Sequence, residues 1–494
     1  MAIETGTGSV SPQRSRRSGI TRRAVVGAAL AGGTGIAALR LLGLAQAPPA
    51  VRGGGGTNWI SPLNRENAQV LQLLRRATFG ASGAGLERAL SDGYSKTVAR
   101  LVETPPAMAG DLPGGDVATR SAPIKLAQLQ GWLLDKMLAS PTPFAERMTM
   151  FWHGHFTSDY RKVGLQSPFV YWQNQTWRRN SLGDLRTFLY EVTIDPAMLR
   201  YLDLATSTGQ SPNENYSREL MELFTMGAGS FSEADVRAAA RALAGWREPK
   251  TLAMVQSQKM DPKLTPAQQA KVDPTYDTEK TGVFVPQRAH KGQLTFLGRT
   301  GSFDTRSVID QILAQKATAP HIVRRVLADF VMPNPPDATV NRLAGGFVKS
   351  KWSIRQLMHD VFMSDEFRAA ANYRSLVKQP VEFMVQALRA LEAPARTATA
   401  LQYSSGMGQV LFDPPDVGGW PTNASWITSN TVLARVNFVT TLVAAVKKLP
   451  ASEKAHQDHL DGVLSPATAK LLSSATTDQE RWTLVLASPE FQLK

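Results

Sequence analysis

The sequence predicts a mainly α protein, a large multi-helix globular fold with at most a small β-hairpin, carried behind an export leader. Three observations predict it. Apolar residues recur at helical spacing along most of the chain, and alternating β patterns are scarce. The balance of 43% hydrophobic to 19% charged residues is that of a packed core, not of a disordered chain. At 494 residues the chain exceeds the roughly 250–300 over which one core keeps growing, so one large or two closely packed domains are expected.

In chain order, residues 1–47 read as a twin-arginine signal peptide. Thr21-Arg22-Arg23 leads straight into Ala24-Val25-Val26, and no charge follows until Arg40. The stretch is rich in Ala and Gly, the moderate hydrophobicity that suits export of a folded chain. Ala45-Gln46-Ala47 offers a cleavage site. The alternative is a retained anchor, but the 16 uncharged residues 24–39 fall short of the roughly 20 that span a bilayer. No stable transmembrane anchor is therefore expected, and the destination is periplasmic or extracellular. Residues 48–57, with Pro48, Pro49 and Gly53 to Gly56, form a tether.

Residues 58–494 form the helical domain. Val70, Leu71, Leu73, Leu74 and Ala77 make one stripe, with Gly80 as a stop. Similar stretches occur at 85–103, 123–139, 182–202, 214–226, 233–245, 307–314, 319–332, 353–368, 377–392 and 431–447. Val283-Phe284 and Leu294 to Leu297 are the material for one hairpin. A polar insertion at about 247–282, with Pro249, Pro262, Pro266 and Pro274, is the place for an internal boundary or a mobile lid.

Composition excludes much. Without cysteine there is no disulfide, thiolate metal site, iron–sulfur cluster or cysteine nucleophile. Of the formal charge of +14, five units sit in the leader, which leaves +9 on the remainder. That excess is compatible with an anionic envelope polymer as partner. There is no basic run or basic–aromatic motif beyond the leader, so nucleic acid is not expected. The absence of G-x-S-x-G, P-loop, dinucleotide and H-E-x-x-H signatures where they could act disfavours the familiar hydrolase, nucleotide-binding and zinc-peptidase classes.

Four segments carry candidate chemistry. In Glu146 to Phe156, the stripe Met148, Phe151, Trp152 and His155 predicts an apolar helix face. Gly154 is expected to end that helix, so that His153 and His155, running into a loop, either converge on one ion or divide into one buried structural His and one exposed. His290, beside Lys291-Gly292, is a third candidate ligand, and imidazoles suit zinc, copper or iron without distinguishing them. His321 and His359 lie within amphipathic helices and read as packing or capping residues. In Asn213 to Gly227, Glu219 and Glu222 share a stripe beside the buried Tyr216, Leu220, Leu223 and Phe224. A carboxylate there is a ligand, a general acid or base, or half of an ion pair with Arg218. Leu411 to Pro421 is too rich in Pro and Gly for a helix. It reads as a structural Ω-loop tucked over the core, or else as a rigid pocket wall lined by Asp413 and Asp416.

Taken together, Leu73 to Gly80, Phe151 to Phe156, Asp195 to Leu199, Asn213 to Gly227, Asp235 to Trp246, His290 to Gly298 and Pro414 to Trp420 resemble the bacterial family called domain of unknown function 1800. The resemblance spans roughly residues 60–445. It implies a large helical exported protein, often encoded beside a secreted protein with an alkaline-phosphatase-like fold, and it supplies no established reaction. Two departures stand out: Gly154 where the family tends to have Asn, and Lys291 where Asp usually follows the loop His.

The functional expectation is an exported, metal-dependent enzyme, a hydrolase or oxidoreductase, acting on a glycan or other extracytoplasmic polymer. His153, His155 and His290 hold the metal and Glu219 or Glu222 serves as catalytic base or further ligand. The alternatives are a non-catalytic envelope binding or assembly partner, co-exported with the phosphatase-like protein, and a metal-free acid–base enzyme built on the two Glu.

Overall fold

The computed structural model describes residues 60–80, 83–108, 110, 124–164 and 168–494. The leader, its cleavage site and the tether lie outside the described residues. Helices dominate, as expected. The chain begins with α1 (Glu66–Ala77), α2 (Gly83–Asp92), α3 (Tyr94–Glu103), α4 (Leu126–Ala139) and α5 (Pro143–His155). The next stretch supplies α6 (Tyr160–Val163), α7 (Phe169–Asn180), α8 (Leu185–Thr193), α9 (Pro196–Tyr201), α10 (Asn215–Glu222) and α11 (Glu233–Ala242). After the insertion, which holds α12 (Leu252–Lys259) and α13 (Pro266–Ala270), come α14 (Thr305–Leu313), α15 (Thr318–Phe330), α16 (Asp337–Lys349), α17 (Ile354–Met363) and α18 (Asp365–Arg368). The C-terminal part contains α19 (Pro380–Ala390), α20 (Thr397–Met407), α21 (Ser429–Ala445), α22 (Ala455–Leu460), α23 (Pro466–Ser474), α24 (Asp478–Ala487) and α25 (Pro489–Gln492).

Local chemistry sets many of these boundaries. Two long stripes are cut in two: 85–103 at Gly93, whose φ is +76°, and 182–202 at Asp195-Pro196. Asp195 accepts the N–H groups of Ala197 and Met198, which makes it the N-cap of α9 with Pro196 in the first turn. Ser232 and Asp235 form a capping box on α11.

Two small antiparallel sheets complete the fold. The first pairs β1 (Trp246–Arg247) with β2 (Val283–Phe284). The second is a hairpin of β3 (Leu294–Phe296) and β4 (Arg299–Gly301). The two runs expected to pair with each other thus find different partners. The reason is the turn at Leu297-Gly298, with φ of +47° and +78°, which folds β4 directly back on β3. The insertion is closed at its neck: Arg247 pairs with Asp277 at 2.8 Å, and the Asp277 N–H bonds Lys250 O.

Buried apolar side chains form two large clusters. One gathers α1, α3, α8 to α11 and α14 to α17; the other gathers α4, α7, α19 to α21 and α24. Helix α5 belongs to both: Phe144, Met148, Phe151 and Trp152 enter the first and Met150 the second. Among the described residues no helix is long and apolar enough to cross a membrane.

Candidate functional site

Helix α5 is buried on nearly every side, and it runs through Gly154 to His155 instead of stopping. On a continuous helix, residues two apart point about 200° apart. The two imidazoles accordingly face different neighbours. His153 lies between Trp177, 4.7 Å away and stacked, and Trp420, 4.9 Å away and edge-on. Its Nε2 accepts the Phe412 N–H at 3.1 Å. Burial pushes its pKa down to about 3, so the ring is neutral and its proton sits on Nδ1.

His155 Nε2 donates to the Phe224 carbonyl at 3.0 Å, and His321 Nε2 donates to the adjacent Leu223 carbonyl at 3.0 Å. These carbonyls follow the last turn of α10 and would otherwise lack a partner. The two rings therefore cap that helix end, and His321 has the capping role its sequence context suggests. Burial is the chief cause that holds His155 well below the usual imidazole range, with Arg325 and His321 adding to it.

His290 sits elsewhere, in the loop after the turn Pro286–Arg288. Its backbone passes so close to Gly209 that a Cβ there would lie 2.5 Å from His290 Cα, and its Nε2 is buried without a hydrogen-bond partner. Among the described residues no three His, Asp or Glu side chains are grouped to hold a metal ion.

The carboxylates tell a different story. Glu219, half-buried on α10, has no ion pair or hydrogen bond with any described residue. Arg218, its expected partner, instead holds Glu233 at 2.7 Å and Glu214 at 3.3 Å. Burial, reinforced by Glu222, raises the Glu219 carboxyl above the usual range against the pull of Arg218. Glu222 is half-buried on the same helix, one turn on, and likewise unpaired among the described residues.

Glu219 acts on Tyr201, the last residue of α9. The Tyr201 hydroxyl is pushed up to about 12 by burial first, then by Asp159, Asp416 and Glu219. It makes no hydrogen bond among the described residues. Asp159, the N-cap of α6, is itself raised by burial and by Asp413, against the N–H of Arg161 that it accepts at 2.6 Å. The Asp413 side chain is 8% exposed; one oxygen pairs with Arg161, while Oδ1 is buried without a partner. Lys162 binds Asp203 at 2.9 Å and lies 5.8 Å over the Tyr201 ring, and Asn215 of α10 donates to the same Asp203 at 3.1 Å. Four segments, 159–162, 201–203, 215–222 and 413–416, thus build one carboxylate-rich face.

The loop 411–421 is what closes it. The Tyr160 N–H bonds Phe412 O at 2.9 Å, Thr157 Oγ1 donates to Val417 O at 2.5 Å, and His153 holds the Phe412 N–H. Gly419, at φ +90°, lies against α5 where a Cβ would collide with the Gly154 carbonyl oxygen. Asp159, Tyr201 and Asp203 escape sequence reasoning, because each looks like an isolated polar residue in its own segment. The one available signal is that all three lie just beyond recognisable blocks, Phe151 to Phe156 and Asp195 to Leu199.

Fold and face together define a large, mainly helical protein whose polar site is assembled from several distant segments. The family model described as "Protein of unknown function (DUF1800)" matches residues 72–493, and the chain belongs to that family. No curated protein and no solved structure matches it.

Proposed function

We propose that this chain leaves the cytoplasm by the twin-arginine route and acts outside it as a carboxylate-based acid–base enzyme on a glycan or other polyhydroxylated polymer. The observation that carries the reading is Glu219: a half-buried carboxylate with no internal partner, raised above its usual range, acting together with Asp159 and Asp416 on one tyrosine. A carboxyl whose pKa is raised by burial is better placed than an ordinary Glu to give a proton to a leaving oxygen, and an ionised neighbour can take one from water. Folding makes no evident use of Glu219, so its burial is better explained by a reaction than by stability.

The reading runs through carboxylates and not through the histidines because the Nε2 atoms of His153 and His155 are engaged in structural hydrogen bonds. His153 could take a metal only by giving up the Phe412 N–H, and although the Nδ1 of His155 is free, no group of three ligands includes it among the described residues. Elemental analysis of protein purified from the periplasm should therefore find the same sub-stoichiometric metal in the parent and in His153→Ala/His155→Ala; one equivalent of zinc, copper or iron that disappears in the variant would restore the metal-dependent reading.

The direct test is the release of new reducing ends from envelope glycans. Glu219→Gln should lower kcat by roughly 10²–10⁴-fold. Because the Glu219 pKa is raised, activity that needs its protonated form should persist to higher pH than an ordinary Glu would allow. No turnover of any envelope glycan by the parent protein, or a Glu219→Gln rate equal to the parent's, would sink the proposal.

A further inference from the structure

A second recess uses the 411–421 loop without sharing any charged residue of the carboxylate face. It is a cleft of about 190 Å³ walled by Phe151 and Gly154 of α5, Arg325 and Asp329 of α15, Gln379 and Trp420. Most of the charge beside it is internally balanced. Asp329 is held by Arg147 at 2.5 Å, by Gln379 at 3.0 Å and by Lys494 at 3.7 Å. Glu382 is held by Arg147 at 2.6 Å and by Lys494 at 2.7 Å. Two carboxylates thus meet two cations.

Arg325 stands outside this closed set. It is half-buried, one helical turn before Asp329, yet it makes no ion pair or hydrogen bond with any described residue. Burial pulls its pKa down, and the charge of Asp329 one turn on offsets this only in part, because that carboxylate bonds Arg147 and not Arg325. Trp420 lines the same cleft, and its indole N–H, buried behind the ring, has no acceptor. A cation without a hydrogen-bond partner and an indole ring, both in the wall of one cleft, are what a compact anion would meet there.

The size of the cleft narrows the ligand. It is smaller than the roughly 300–1,000 Å³ that houses drug-sized molecules, so it takes one compact unit. We propose that this cleft binds a single anionic unit, carrying a carboxylate or a phosphate, with Arg325 forked onto its oxygens and Trp420 against its body. The site lies apart from the carboxylate face and stands whether or not that face is catalytic. It also gives a definite place at which an acidic envelope polymer could be held by one of its units.

The test is isothermal titration of the full chain, at fixed ionic strength, with D-glucuronate, glycerol 3-phosphate and, as the neutral control, glucose. One or both anions should bind with one-to-one stoichiometry while glucose does not, and which of them binds identifies the anionic group. Arg325→Gln should weaken that binding at least tenfold. Arg325→Lys, which keeps the charge and loses the fork, should fall between the two. Because Arg325 serves no internal partner, the ligand-free Tm of Arg325→Gln should equal or exceed that of the parent. The proposal is overturned if neither anion binds, if Arg325→Gln binds as tightly as the parent, or if its Tm drops by several degrees.

Discussion

His153 shows how a side chain can look like a metal ligand in the sequence and serve as a loop anchor in the fold. An imidazole beside Trp and Gly is ambiguous until its neighbours are known. Here the neighbour is the Phe412 N–H, 259 residues away, and no local pattern could supply it. Removing the ring should leave that N–H unsatisfied and open a cavity among aromatic rings. His153→Ala should therefore cost on the order of 3 kcal/mol in urea unfolding, and His153→Gln, which keeps an acceptor, clearly less. The ring also predicts a pH dependence. Its folded pKa, about 3, lies below the unfolded value near 6.5. The neutral ring thus contributes its full stability above pH 6.5, and that contribution is lost as pH falls from there towards 3. His155, shifted in the same direction, adds to the effect. The urea midpoint should drop between pH 7 and pH 5, with a smaller drop in His153→Gln; an unchanged midpoint in the parent would count against both assignments.

Among the elements, what was legible in the sequence was whatever rests on local periodicity. The stripe of α1 and the stretches at 233–245 and 319–332 appear as helices because apolar spacing alone defines them. Helix α7 is missing from that reading for a physical reason: its buried face includes Gln173, Asn174 and Arg178, the last bonded to Glu146 at 2.6 Å. Polar groups buried on the inner face, whose partners are set by the fold, leave no apolar stripe to see. Helix α5 also runs on past Gly154, because a single glycine lowers helix stability without ending the helix; the close approach of the 411–421 loop to α5 rests on Gly419. That approach is testable. Gly419→Ala would put a side chain at φ +90° and against the Gly154 carbonyl. A loss of roughly 2–4 kcal/mol is expected. Because the same loop carries Asp413 and Asp416, reducing-end release should fall as well. A variant as stable as the parent would show that the loop does not lie where it is described.

At the scale of the whole molecule, the carboxylate face illustrates what a sequence withholds. Glu219 and Glu222 are visible as candidates from their helical stripe, but Asp159, Tyr201 and Asp203 acquire meaning only when segments more than 200 residues apart meet. The same holds for the buried charges beneath α5. Arg147 is fully buried and bridges Asp329 on α15 and Glu382 on α19, and it lies 4.6 Å from the Phe330 ring. Arg147→Met would leave two buried carboxylates with Lys494 as their one remaining ion-pair partner among the described residues, and a loss of about 3–5 kcal/mol is expected. Chemical denaturation of this variant and the parent checks it, and a loss under 1 kcal/mol would mean that the network is dispensable.

The double membership of α5 has a consequence for how the chain comes apart. A strut whose residues serve two apolar interiors at once ties their fates together, because neither can loosen without stripping contacts from the other. The backbone amides of 148–153 should then exchange with deuterium only through complete unfolding, at one common rate, and melting should follow a single transition. Under the proposed export of a folded chain, this would leave a translocase little between a finished molecule and an unfinished one.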